Sequence, residues 1–284
     1  MKKTLFVIVA VVLMVMMFSP AVTAAGERGK ALVVHGQFSE DQPIGDGDRT
    51  LGVHLEAMGF AVSYILAPDA TEDSWKGYDL IYIGESVTSA DVSTKFQLAD
   101  TFVICSEPGL FDEMLMGNYD TVYDSEPYTG NYIVVNDIIN CGLKTFKGFT
   151  TDDVVPGFLL DYAPGVKIIV ENENKSPAVS IAEKGAELID GSKAINARAQ
   201  FFCRRQDQVS FTADTWKVFD ALINYIIPLP VTEEVVVADA SAVDTASAPA
   251  VITSSPQTAD MTIVMSLAVV LSALSGIGIY KKRK

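Results

Sequence analysis

Three short stretches of this chain are apolar without interruption. They lie inside Lys30-Ala-Leu-Val-Val-His35, Asp79-Leu-Ile-Tyr-Ile-Gly84 and Thr101-Phe-Val-Ile-Cys105. A strand with one wet face alternates apolar and polar residues, whereas a strand covered on both faces has no reason to. Runs this short, bounded by Gly, Asp and Glu, predict buried strands of a parallel sheet. A further strand is predicted at residues 60–66. A helix is predicted over 49–58, with Asp48 as its N-cap and Gly59 as its stop. A weaker helix is predicted over 90–98. Strands alternating with helices over short connections give a doubly wound, mostly parallel α/β sheet. The second half is richer in strands, at 132–135, 166–171, 178–182 and 197–203. The link Asn172-Glu-Asn-Lys-Ser-Pro177 predicts an antiparallel hairpin and hence an antiparallel edge. A last amphipathic helix, 212–227, sets Trp216, Phe219, Ile223 and Ile226 on one face and is halted by Pro228. The folded domain is expected to span residues 28–230.

Both ends of the chain read as handling signals. Lys2 and Lys3, the apolar run 5–18 and the small residues Ala21-Val-Thr-Ala-Ala25 have the three-part layout of a secretory signal peptide over residues 1–25. At the other end, residues 261–280 carry no charge, long enough for one transmembrane helix. The basic tail 281–284 (Lys-Lys-Arg-Lys) predicts that the C-terminus stays inside. Just before that span, Ser255-Pro256-Gln257-Thr258-Ala259 resembles the cell-wall sorting signal of Gram-positive surface proteins, within 255–260. There a sortase cuts after the Thr of an LPxTG-type motif and joins it to peptidoglycan. Here Ser replaces the Leu and Ala replaces the Gly. The resemblance implies that Pro256, Gln257, Thr258 and Ala259 are processed by a sortase. The alternative is a plain single-pass membrane anchor. Residues 231–258 are rich in Ala, Val, Ser, Thr and acids, with no aromatic residue, and are expected to form a flexible acidic stalk.

Charge narrows the partners. The whole chain has 21 Lys plus Arg against 36 Asp plus Glu. Without the six basic residues and one acid of the two ends, 15 face 35, a formal charge of −20. Such a surface disfavours nucleic acid, whose binding rests on Lys and Arg. Three cysteines, Cys105, Cys141 and Cys203, cannot all pair, and their spacing decides no pairing. No spacing motif calls for a metal or a cofactor. Asp46-Gly-Asp48 lacks the remaining ligands of a calcium loop, so capping is the simpler role.

In an open α/β sheet, ligands bind beyond the C-terminal strand ends. Here that rim is His35-Gly36, Glu85-Ser86 and Cys105-Ser106-Glu107. The stretch Phe102-Val-Ile-Cys105-Ser-Glu-Pro-Gly109 resembles, in its place in the layout, the nucleophile turn of the class I glutamine amidotransferase-like superfamily, which has a flavodoxin-like sheet. The resemblance covers about residues 30–227 and implies that Cys105 occupies the nucleophile position. The rest of the motif departs from that pattern. The crowded amidotransferase turn needs small residues where this chain has Val103 and Glu107. The protease-like branch has a His where Ser106 stands. No His follows His54, so the glutaminase His has no counterpart. A thiolate needs a base or a positive partner, and His35 is the nearby candidate, while a carboxylate at Glu107 would raise the thiol pKa.

These residues support a non-catalytic surface domain that binds a small molecule, glycan or protein through His35, Gly36, Glu85, Ser86, Ser106 and Glu107. The rival reading is a surface hydrolase of amide or ester bonds using Cys105 with His35. Glu85 and Glu107 could also pair for acid–base work or to hold a cation. Arg204-Arg205 could bind an anion, and Trp75 with Tyr78 could stack on a sugar.

Overall fold

The computed structural model describes residues 27–118, 130–151, 161–203 and 206–229. The predicted leader, stalk, sorting-like motif, apolar span and basic tail lie outside these residues, as do Arg204 and Arg205. Among the described residues no helix is long and apolar enough to cross a membrane.

Five strands run parallel: β1 (Lys30–His35), β2 (Ala61–Leu66), β3 (Leu80–Ile83), β4 (Phe102–Cys105) and β11 (Arg198–Phe201), in the order β2-β1-β3-β4-β11. The sheet then continues antiparallel through β10 (Pro177–Ala182), β9 (Val166–Asn172), β6 (Asn131–Val134) and β7 (Thr145–Lys147). A separate two-residue pairing joins β5 (Gly117–Asn118) to β8 (Asp161–Tyr162). The helices are α1 (Asp46–Ala57), α2 (Ser89–Val92) and α3 (Ala213–Ile226).

The unbroken apolar runs have the predicted cause. Alternate residues of β1, β3 and β4 enter two different cores. Ala31, Val33, Leu80, Tyr82, Phe102 and Ile104 face Leu51 and Leu55 of α1 and Val218, Phe219 and Leu222 of α3. Leu32, Val34, Ile81, Ile83, Val103 and Cys105 face Val92, Phe96, Leu110 and Phe111. Both faces are dry, so no polar position survives along the run.

Two helix expectations are corrected. Helix α1 starts earlier than predicted, with Gly45 at its N-cap and no side-chain cap, so Asp48 lies inside the first turn. Gly59 does end the turn, at φ +98°, donating its N–H to Glu56 O at 2.9 Å. The predicted helix over 90–98 divides into α2 and a 3₁₀ turn, Ser93–Phe96, with Ser93 at φ 45° between them. Val92-Ser93-Thr94 combines β-branched residues and hydroxyls that compete for backbone hydrogen bonds, a poor helix interior. Helix α3 is as read, with the Thr212 hydroxyl capping Thr215 N–H at 3.1 Å.

Candidate functional site

The C-terminal ends of β1, β3 and β4 meet at one rim, and Asp48 lies beneath it. Its residue is fully buried. The Ser86 hydroxyl donates to Asp48 Oδ2 at 2.6 Å, and Gln206 Nε2 donates to the same oxygen at 3.0 Å. Gln206 Oε1 in turn accepts the backbone N–H of Gly47 at 2.5 Å and of Asp48 at 3.3 Å. Ser86 Oγ also accepts Gly36 N–H at 3.0 Å. One buried carboxylate therefore ties the first turn of α1 to the ends of β1 and β3 and to the segment before α3. Burial pushes its pKa up; the hydrogen bonds from Ser86 and Gln206 and the charge of His35 pull it back. Gly36 is required here by close approach: a Cβ would fall 1.9 Å from Ser86 O.

A second buried chain of hydrogen bonds has a defined direction. Ser106 Oγ donates to Phe201 O at 2.8 Å, so the Tyr82 hydroxyl, 2.8 Å away, donates to Ser106. Gln208 Nε2 then donates to Tyr82 at 3.3 Å. These contacts join β3, β4, β11 and the 3₁₀ turn Asp207–Ser210. Burial raises the Tyr82 pKa far above its ordinary value. Ser106 is thus spent on the fold and buried away from solvent.

The two proposed catalytic partners stand on opposite faces of the sheet. Val34, Ile83 and Cys105 form one row across β1, β3 and β4 and share the second core. His35 follows Val34, so its side chain turns to the other face, where it meets the Tyr64 ring edge-on at 6.2 Å. Its Nδ1 lies 2.9 Å from Gly36 O. A carbonyl only accepts, so Nδ1 carries a proton. Cys105 is wholly buried, with its thiol donating to Glu107 O at 3.4 Å. Burial first, and then the Glu107 charge, drive its pKa well above that of a free thiol. No disulfide joins the described cysteines; Cys141 is half-buried, and Cys105 and Cys203 are buried.

Glu107 stays at the rim, half-buried, its Oε1 accepting Gly109 N–H at 2.9 Å. Burial pushes its pKa up to about 7. Glu113 is also raised to about 7, by burial first, then by Asp112, with a smaller contribution from Glu107. Glu85 and Ser86 are half-buried at the end of β3, and Gly36 is buried. Among the described residues no cluster of His, Cys, Asp or Glu has the arrangement of a metal site.

The parallel order 2-1-3-4 extended by β11, with helices packed on both faces, can be set beside known structures. No family model matches the chain, and no curated protein does. A ThuA-like protein from Bacteroides uniformis ATCC 8492 aligns with a TM-score of 0.50 at 11% identity, over 73% of this chain and 95% of that one. The fold is class I glutamine amidotransferase-like. A ThuA-like protein from Parabacteroides merdae ATCC 43184 aligns with a TM-score of 0.44 at 10% identity, over 72% of this chain and 93% of that one. Within an amidotransferase-like frame, chemistry has to be argued from the site itself. Sequence reasoning found the rim but missed Asp48, Gln206, Tyr82 and Gln208. Gln206 lies 158 positions from Asp48, and nothing local pairs them.

Proposed function

We propose that the folded domain is a non-catalytic amidotransferase-like module that binds a ligand or partner at its strand-end rim. We further propose that the chain is exported through its N-terminal leader and held at the cell surface by its C-terminal residues. The observation that carries the non-catalytic reading is the placement of Cys105. The thiol at the nucleophile position is buried, its pKa is raised, and the sheet lies between it and His35. A nucleophile needs the reverse: access, a nearby base and a depressed pKa.

What the rim offers instead is a rigid polar edge. Glu85, Ser86 and Glu107 are half-buried over a buried Gly36, and Gln37 beside them is exposed. Beside them Phe38 is 58% exposed on a loop closed by Phe38 N–H to Pro43 O at 3.3 Å and Ser39 N–H to Gln42 O at 3.0 Å. Asp48 fixes Ser86 and Gly36 from below, so the edge is organised before a ligand arrives, which lowers the entropic cost of binding. The anchoring proposal is supported by the leader, the uncharged span and the Pro256-Gln257-Thr258-Ala259 motif.

Alkylation of the native chain with iodoacetamide across pH tests the first reading. Cys141 should react first, and Cys105 only on unfolding. Rapid alkylation of native Cys105 with an apparent pKa below that of a free thiol would establish the hydrolase instead. For anchoring, Thr258→Ala should move the protein from the wall fraction to the membrane fraction; unchanged fractionation would assign a plain single-span anchor.

A further inference from the structure

Away from the rim, the crossover from β2 to β3 and the crossover from β3 to β4 lie side by side and leave a groove of about 290 Å³ between them. We infer that this groove binds a neutral pyranose, one sugar ring stacked on Trp75. This inference is independent of the rim reading.

Each side of the groove contributes one apolar residue among polar ones. Trp75 is half-buried, packed against the second core, with the exposed Lys76 ammonium 6.0 Å over its ring, where a ligand would displace it, and Leu98 opposite is 68% exposed. An exposed leucine on a concave surface beside an indole is unusual among solvated positions and marks a place where apolar surface awaits a partner. The indole is held in place by its own loop. Ser74 Oγ accepts Thr71 N–H at 2.8 Å, Lys76 N–H donates to Asp73 O at 3.1 Å, and Tyr78 N–H donates to Trp75 O at 3.2 Å. The facing wall is held as firmly. Lys95 Nζ donates to Ala67 O at 3.1 Å and to Asp91 O at 2.6 Å, bracing the residues that lead to Leu98. The platform is therefore rigid before anything binds.

Charge selects the ligand class. The lining contains Glu72, Asp73, Lys76 and Lys95, two negative and two positive, in a chain of formal charge −15. Lys76 Nζ pairs with Asp73 Oδ1 at 2.6 Å and Lys95 is held by two backbone carbonyls, so the rim is nearly neutral while its edge keeps both acceptors and donors. The partner that fits has a flat apolar face for the indole and an edge of hydroxyls that both donate and accept. A pyranose has this shape, its axial C–H groups forming one face and its hydroxyls the perimeter. A flat hydrocarbon would waste the four charged groups, and a carboxylated or phosphorylated ligand would leave one pair opposed.

The readout is available in the chain itself. It contains two tryptophans, and Trp216 is stacked on His54 at 4.0 Å on the other face of the sheet. Methyl glucoside, methyl galactoside, methyl mannoside and N-acetylglucosamine should be titrated separately into the full chain while indole emission is followed. At least one should give a saturable change at millimolar concentration. That change should persist in Trp216→Phe, vanish in Trp75→Ala, and weaken at least tenfold in Leu98→Glu. Leu98 is a surface position, so its variant should melt as the parent does and keeps the test informative if Trp75→Ala fails to fold. Absence of saturation with all four sugars, or a response that survives in Leu98→Glu at full affinity, overturns the inference.

Discussion

The two faces of the parallel sheet differ in how far their buried polar groups are tied to distant elements. On the α1 and α3 face, Asp48, Ser86, Gln206, Tyr82, Ser106 and Gln208 are linked by directed hydrogen bonds between elements distant in sequence. On the α2 face, Cys105, Glu107 and Glu113 are all shifted toward their neutral forms, with burial as the leading cause in each. The first arrangement secures the fold at all pH values where Asp48 keeps its partners. The second makes the fold sensitive to pH. Burial raises pKa values on both sides, Asp48 and Tyr82 included; what differs is that on the first face the buried groups bridge distant elements.

The largest effect should come from breaking the first net. Asp48→Ala leaves the Ser86 hydroxyl and the Gln206 amide without their acceptor, and each orphaned donor costs about 1 to 3 kcal/mol. Urea unfolding should show a loss of about 2 to 4 kcal/mol, with Asp48→Asn losing less. An unchanged midpoint for Asp48→Ala would remove the contrast between the faces.

The second prediction sharpens the α2 side. Glu107 is held at about 7, above its ordinary 4.5, so the folded form keeps its proton longer than the unfolded chain. Stability from this group is fully present below about pH 4.5 and is lost as pH rises through about 7. Glu107→Gln keeps the oxygen that accepts Gly109 N–H but carries no charge. It should match the parent near pH 4 and exceed it near pH 8 by about 2 to 3 kcal/mol, read from denaturant midpoints at both pH values. A variant with the parent's pH slope would show that Glu107 is not the source.

The smallest effect belongs to the Tyr82 chain. Tyr82→Phe removes one donor to Ser106 and one acceptor for Gln208, at a cost of about 1 kcal/mol, with no change in pH slope. Thermal melts at two pH values check both halves of that statement.

The fold was legible where burial on both faces suppresses alternation, as in β1, β3 and β4, and where helical spacing repeats, as in α3. The hairpin of β9 and β10 was legible from its Asn- and Pro-containing link. The strands β5, β7 and β8 are two or three residues long and leave no periodic signal. The pairing of His35 with Cys105 failed for a more instructive reason. Parity within a strand can be read from the sequence, but the register between β1 and β4 is set by packing. A shift of one residue sends a side chain through the sheet. The rim was therefore readable as a place, while the face on which each of its side chains stands was not. Asp48 was misread because a short acid beside a helix start has a local explanation, and the partner that overrides it arrives from the far end of the domain.

Strand β11 carries one more consequence. It is flanked by β4 on one side and β10 on the other, yet it is made after both. Until Arg198–Phe201 has emerged and docked, each of those neighbours presents an open ladder of amides and carbonyls, the kind of edge on which chains aggregate. The parallel and antiparallel halves consequently mature together, joined by a keystone that is laid late, and a chain cut short of Arg198 would be two unfinished sheets instead of a smaller protein.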